Sequence, residues 1–300
     1  MARSFPPDVV VLDTDGLLHA RFGRGGKSGL RIVQAKTYRL ADGTFTPSMV
    51  TPQLANESAL AEALRRLRNE TGKWERVSLL LPDSWFRINI MDLPSLPKNG
   101  NGEAMEMVRW SLKRTLPIPP EQLRVSYSVL SRSGQAAKVL AISALDATLA
   151  AIERAFAAAG FEVILIEPVG LNIWNAITVR EGDTTADRLF VYVRDEDFTT
   201  AVFRGAQPLF IRSRNLGGDR TLDQELRLSA SYLRDSLGAE GFANCYVAGA
   251  RADANVTAAL AAEFNTPVRT VSVRDFAEEV PADLYGRDAE LTACTGVFTG

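Results

Sequence analysis

Residues 188–218 read RLFVYVRDEDFTTAVFRGAQPLFIRSRNLGG, and this stretch decides the fold. Three runs within it are apolar or β-branched, have the length of strands and are separated by turn residues, namely 189–193, 199–203 and 209–212. Beyond the stretch, apolar residues recur every three or four positions, as on one face of a helix: Leu222, Leu226, Ala230, Leu233 and Leu237. Thr221 and Gln224 have the spacing of a capping box. The pattern predicts three strands joined by tight turns, followed by a long helix.

The beginning of the chain has nearly the same order of elements. Apolar patterning predicts strands over residues 9–13, 17–22 and 30–40, a helix over 56–71 and a buried strand over 77–81. The first strand ends in the acidic turn Asp13-Thr14-Asp15-Gly16. This repetition predicts an α/β protein built from two related halves.

A third unit is predicted between the two halves. The patterning favours a strand over 87–93, a helix over 103–116, strands over 123–130 and 137–144, a helix that Asp146 would cap, and a strand over 162–166. The domain prediction is therefore residues 1–85 plus 167–187 for the first half, 86–166 for the inserted module and 188–300 for the second half.

Composition and charge argue against several classes of function. The net charge is −2, so no overall field attracts nucleic acid. The apolar runs are shorter than a membrane span, so the chain is expected to be soluble and cytoplasmic, peripheral to a membrane only through a partner. Cys245 and Cys294 are expected to be buried free thiols. The single histidine, His19, is expected to be structural, because a catalytic triad or a zinc site would have to be built around it alone.

The order of these elements resembles the actin-like proteins that include the cell-division protein FtsA, and the details are most similar to the PilM family of type IV pilus assembly proteins. The resemblance spans nearly the whole chain. It is carried by residues 77–94, by 108–129 with the Pro-Ile-Pro-Pro turn, by 138–168 with Ala-Gly-Phe before a strand, by Thr199-Thr200 with Gly205, and by Asn215-Leu216-Gly217-Gly218. It implies an actin-like fold of two α/β halves with a small inserted strand–helix–strand–strand module.

The predicted nucleotide site departs from the actin-like pattern, in which two Asp-x-Gly turns hold a phosphate. Asp15 stands where the first turn would have glycine, Arg194 and Glu196 replace Asp and Gly in the second, and Arg251 follows Gly249-Ala250 in the adenosine turn. Added carboxylates repel a triphosphate, so the pattern indicates a decayed site, although Mg²⁺ at Asp13 or Asp15 would offset part of the repulsion. If ATP and Mg²⁺ binding is retained, the resemblance assigns it to Asp13, Asp15, Gly16, Thr199, Thr200, Gly217, Gly218 and Gly249.

The resemblance implies a non-catalytic cytoplasmic scaffold at the inner face of the inner membrane. In that family, a groove between the first domain and the inserted module takes up the N-terminal tail of a single-span inner-membrane protein, here a PilN-like partner. We predict Arg109, Trp110 and Lys113 as partner-binding residues, because an aromatic side chain flanked by cations suits a protein contact. Trp110 could instead pack in the core of the module.

Two other hypotheses stay open at this point. One is an actin-like ATP-binding protein or ATPase with unusual phosphate loops. The other is the cytoplasmic domain of a type II secretion platform protein, which shares the fold.

Overall fold

The computed structural model describes residues 5–26, 29–46, 53–72, 74–97, 102–113, 118–182, 185–195, 197–216, 221–237, 241–280, 284 and 286–299. Its architecture is two five-stranded sheets with a layer of helices between them, one further helical layer outside each sheet, and a small module attached to the first sheet.

The first half is built on one mixed sheet. Some of its strands form hairpins with their neighbours in the sequence, and others pair parallel with strands that are distant in the sequence. Its strands are β1 (Asp8–Leu12), β2 (Gly16–Arg24), β3 (Leu30–Arg39), β6 (Arg76–Leu81) and β10 (Glu162–Pro168), in the order β10-β6-β1-β2-β3. A separate two-stranded ribbon, β4 (Phe45–Thr46) and β5 (Gln53–Leu54), lies beside it. The helices α1 (Glu57–Thr71) and α3 (Asp146–Ala158) cover the outer face, where leucine and phenylalanine side chains are fully buried.

The second half repeats this topology. Its strands are β11 (Asp187–Val193), β12 (Asp197–Arg204), β13 (Gln207–Asn215), β14 (Asn244–Ala248) and β15 (Val268–Thr270), in the order β13-β12-β11-β14-β15. Helices α5 (Leu222–Leu237) and α6 (Ala254–Phe264) cover its outer face. In each sheet the three strands that come first in the sequence pair antiparallel. The two strands that come last in the sequence pair parallel to their neighbours. The predicted pair of related halves is therefore present.

The layer between the sheets consists of α4 (Val169–Glu181) and α7 (Asp288–Gly296). Its apolar side chains share one core with residues from both sheets. Trp174 of α4 stacks on Phe203 of β12 with a centroid distance of 3.9 Å. This core fixes the relation between the halves.

The inserted module has its own sheet and its own core. Its elements are β7 (Arg87–Leu93), α2 (Glu103–Lys113), β8 (Leu123–Ser133) and β9 (Ala136–Leu145), with antiparallel strand order β7-β9-β8. Val108 and Leu112 of α2 are fully buried against this sheet. The module is thus a strand–helix–strand–strand unit, as the resemblance implies.

Two sequence-based assignments need correction. The strand over 162–166 was expected in the module, but β10 pairs with β6, as its counterpart β15 pairs with β14. The predicted domain ranges stay a prediction, since sheet membership alone does not draw a domain boundary. Asp146 does not cap α3, because its carboxylate accepts a hydrogen bond from Arg124 instead.

The capping box at the start of α5 is present. The Thr221 N–H donates to Gln224 Oε1 at 3.1 Å, and the Gln224 N–H donates to Thr221 Oγ1 at 3.3 Å. No helix among the described residues is both long and apolar enough to cross a bilayer.

Candidate functional site

The first predicted phosphate turn is a closed hairpin turn between β1 and β2. The Asp13 N–H donates to the Gly16 carbonyl at 2.8 Å, and the Thr14 N–H donates to Asp13 Oδ1 at 2.7 Å. The Asp15 carbonyl accepts from the Leu40 N–H at 2.9 Å. A side chain at residue 16 would press on the Tyr38 carbonyl, so local packing explains why this position is glycine.

The second turn, between β11 and β12, contains Arg194, whose side chain forms hydrogen bonds to carboxylates of both turns. The Arg194 guanidinium donates to Asp13 across the boundary between the halves, and its Nη1 donates to Asp197 Oδ2 at 3.1 Å. Ser84 Oγ, from the first half, donates to the same Asp197 oxygen at 2.6 Å. We name Asp13, Asp83, Ser84, Arg194 and Asp197 the inter-half cluster.

Little space remains between the two turns. The cavity there measures about 10 Å³, enough for one water molecule. Asp13, Tyr192, Arg194, Arg287 and Glu290 contribute polar groups to its wall. The Arg194 guanidinium lies between the turns and bridges the carboxylates of Asp13 and Asp197.

The other predicted nucleotide residues are held by local packing. Thr199 Oγ1 and Ser213 Oγ lie 2.9 Å apart within the second sheet, and Thr200 is fully buried. Gly249 has a φ of +116°, and a Cβ there would overlap the Val193 carbonyl, so this position needs glycine for backbone reasons. Glu196, Gly217 and Gly218 lie outside the described residues.

The sequence reasoning assigned no role to Asp83, the member of the inter-half cluster that follows β6. Its side chain is buried, and Oδ1 accepts from the Gly170 N–H at the start of α4 at 2.7 Å. Burial raises the pKa of Asp83 to about 7; Asp197 adds to the rise, and the Gly170 N–H and the Thr199 hydroxyl oppose it. A carboxyl that titrates near neutrality therefore lies between the halves.

A second concave surface lies where the module meets the first half, and we name it the junction groove. Its volume is about 300 Å³. Its walls are mostly apolar and consist of Phe86, Arg124, Val125, Ser126, Ile142, Ser143, Ala144, Leu149, Glu153, Val163, Ile164, Leu165 and Ile166. At one rim Arg124 is fixed by two hydrogen bonds to Glu153, at 2.6 Å and 3.0 Å.

Two edge strands contribute residues to this groove. β10 is the last strand of the first sheet and β8 is the last strand of the module sheet, so within the part of the chain that the structure describes each pairs with a neighbour on one side only. Ile164 lies at an irregularity in the pairing of β10 with β6, and it is half-buried. The groove thus offers apolar side chains together with strand edges.

The three predicted partner-binding residues lie on a different surface. Arg109, Trp110 and Lys113 line a shallow depression on the outer face of α2, together with Glu106, Pro120 and Glu121. Trp110 is 67% exposed, and Lys113 Nζ lies 5.0 Å from its ring centroid. Trp110 is therefore not a core residue of the module, and none of the three lines the junction groove.

The remaining candidates have structural environments. His19 is fully buried, its Nε2 lies 2.8 Å from Asp8 Oδ1, where the carboxylate is the acceptor, and its ring stacks on Trp74. Both cysteines are buried and unpaired, and burial raises the pKa of the Cys245 thiol to about 12. Within the described residues, no group of three or more histidine, cysteine or acidic side chains is placed to hold a metal ion.

Comparison with known proteins gives structural similarity and no sequence match. No family model and no curated protein matches the chain. A solved PilM-PilN type IV pilus biogenesis complex is similar with a TM-score of 0.79 and 18% identity, covering 96% of both chains. A Bacteroides thetaiotaomicron protein with an actin-like ATPase fold and unknown function gives a TM-score of 0.55 and 12% identity over 95% of both chains.

A third structure, the cytoplasmic domain of EpsL, an inner-membrane component of the type II secretion system of Vibrio cholerae, gives a TM-score of 0.48 with 14% identity over 80% of both chains. At these identities the first two comparisons establish the fold alone. The chain has the actin-like fold, and its similarity to the PilM-PilN structure extends over 96% of both chains.

Proposed function

We propose that this chain is a non-catalytic, PilM-like scaffold of a type IV pilus or a related secretion assembly platform. It acts at the cytoplasmic face of the inner membrane, where it binds the N-terminal tail of a PilN-like single-span protein. The observation that carries the proposal is the junction groove, an apolar slot formed where the inserted module meets the first half.

The groove suits an extended peptide better than a compact ligand. A strand edge offers unpaired backbone N–H and C=O groups, and a peptide that adds to such an edge gains main-chain hydrogen bonds. The apolar walls from β9, β10 and α3 would receive alternate side chains of the peptide. Arg124 would lie beside the peptide already oriented by Glu153, so little side-chain entropy is lost on binding.

The account includes a decayed nucleotide site. Arg194 supplies the positive charge that Mg²⁺ supplies in a nucleotide complex, and it bonds to carboxylates from both turns. A triphosphate would have to displace this ion pair and then lie against Asp13 and Asp197. The expected result of a calorimetric titration with ATP and Mg²⁺ is no detectable binding.

The alternative is an actin-like ATP-binding protein or ATPase. The fold and the acidic turn at Asp13 favour it. A dissociation constant in the micromolar range in the same titration would establish this alternative and would remove the decayed-site part of the account.

A second docking surface on α2 stays a prediction. Its support is the 67% exposure of Trp110 beside Arg109 and Lys113. The two surfaces can be separated because they share no residue. Synthetic peptides of the N-terminal tails of single-span inner-membrane proteins from the same genome are the probes. Variants Ile164→Asp and Trp110→Ala report on the junction groove and on the α2 face respectively.

A further inference from the structure

The Asp83 carboxyl is enclosed by elements from both halves. It is 1% exposed, and among the described residues its Oδ2 has no hydrogen-bond partner. Gly170 of α4 lies so close that a Cβ there would overlap the carboxyl. From the second half, Asp197 and Thr199 of β12 face it. The carboxyl is therefore shielded from solvent and packed closely against α4.

The inter-half cluster has too few cations for its carboxylates. It contains Asp13, Asp83 and Asp197 but only Arg194, which bonds to the first and the last of these. The neighbouring Arg287 and Glu290 lie 3.3 Å apart and pair with each other. The buried Tyr192 phenol, which also faces the cluster, is neutral, because burial and the surrounding carboxylates raise its pKa. Asp83 is thus a buried carboxyl beside a second carboxylate, and a proton is the smallest charge compensation available.

We propose that protonation of Asp83 controls how tightly the two halves close on each other. When Asp83 carries a proton, it is a neutral neighbour of Asp197, and the halves pack as described. When the proton leaves, two carboxylates repel each other across the boundary, and the turn at residues 83–86 separates from β12.

The direction of this response follows from the environment of the group. Because burial raises the pKa of Asp83 to about 7, the protonated and packed form is favoured in mildly acidic solution. The packed form is lost as the pH rises through neutrality. The response lies within the range of pH that cells reach.

The hydrogen bond from the Gly170 N–H to Asp83 connects two walls of the junction groove. Asp83 lies three residues before Phe86, and Gly170 lies four residues after Ile166; both Phe86 and Ile166 line the groove. Loosening at Asp83 is therefore expected to increase motion in residues 163–171 as well as in 83–86. This readout needs no partner, so the inference stands apart from the proposed docking role.

Hydrogen exchange of the intact protein tests the inference. Wild type and Asp83→Asn are compared at about pH 8 and at about pH 5.5, each pair at one pH, so that the intrinsic exchange rate cancels. Asparagine mimics the protonated acid and still accepts from the Gly170 N–H. We expect peptides covering 83–86 and 163–171 to exchange at least about threefold faster in wild type at the higher pH, with no difference at the lower pH.

A control variant keeps the test decisive. Asp92→Asn removes an exposed carboxylate that lies 3.7 Å from Lys138, and it should leave the exchange pattern unchanged. Equal exchange of wild type and Asp83→Asn at the higher pH overturns the inference.

Discussion

Arg194 donates a hydrogen bond to Asp13 across the boundary between the two halves, from a residue 181 positions away in the sequence. The two turns that carry these residues face each other across this boundary, with a cavity of only about 10 Å³ between them. Since Arg194 also bonds to Asp197 in its own turn, one guanidinium connects the two turns.

Loss of this cation should destabilise the protein. We expect Arg194→Gln to lower the free energy of unfolding by about 1 to 3 kcal/mol, because Asp13 and Asp197 are left facing each other without a counter-charge. The loss is limited because both partners in the Arg194–Asp13 pair retain some solvent exposure, so water screens part of their attraction. Chemical denaturation measures the change.

The matched control is Arg204→Gln. Arg204 also makes two hydrogen bonds to a carboxylate, Asp187, but it does so at the exposed end of the paired strands β11 and β12. Its substitution should hardly move the denaturation midpoint. Equal effects of the two substitutions would show that the inter-half ion pair contributes no more than a surface pair.

The stability of the protein should depend on pH through Asp83. The folded protein retains a proton on Asp83 up to about pH 7, whereas the unfolded chain releases it near the ordinary value of 3.8. Between these values the folded state binds more protons than the unfolded state, so this contribution to stability falls as the pH rises.

Asp83→Asn removes this contribution. We expect the variant to be more stable than wild type by about 2 kcal/mol at slightly alkaline pH and to differ little near pH 4. Melting curves of both proteins across this range give the difference. A difference that does not vary with pH would mean that Asp83 is ionised in the folded protein throughout.

The two thiols should be unreactive in the native protein. Burial raises the pKa of Cys245 to about 12 and raises that of Cys294 as well, so almost no thiolate is present at neutral pH. A colorimetric thiol reagent should modify no cysteine in buffer and two in denaturant. Fast modification of the native protein would contradict the buried environment.

The sequence predicted most elements because their signals are local. Strand-length apolar runs, the stripe on α5 and the capping pair Thr221 and Gln224 all act within a few residues. The repetition of strands and helix also predicted the two related halves, which the matching strand orders confirm.

The sequence did not predict which distant strands pair with each other. The run over residues 162–166 reads as a strand, yet only the pairing of Glu162 with Arg76 and its neighbours shows which sheet it joins. The same limit applies to the inter-half cluster, whose members come from three separate turns. A signal was present, because Pro82-Asp83 follows a buried strand parallel to β1, and the carboxyl ends of neighbouring parallel strands share one edge.

The three predicted partner-binding residues do not line the junction groove. The sequence reasoning expected Arg109, Trp110 and Lys113 at the meeting of the module with the first half, but α2 presents them on an outer face. Helix periodicity identified which side of α2 is exposed, and it carried no information on what that side faces. Whether these residues bind a partner stays a prediction.

The most direct test of the scaffold account is the affinity of the junction groove for tail peptides. Fluorescently labelled peptides are titrated with wild type, with Ile164→Asp and with the control Val33→Asp. Val33 is 51% exposed on β3, at the opposite edge of the same sheet. We predict that one tail peptide binds wild type and Val33→Asp equally, and that Ile164→Asp weakens binding by about 2 kcal/mol, roughly thirtyfold, at an unchanged melting temperature. Binding that Ile164→Asp leaves intact, or no binding of any tail peptide to wild type, would contradict the account.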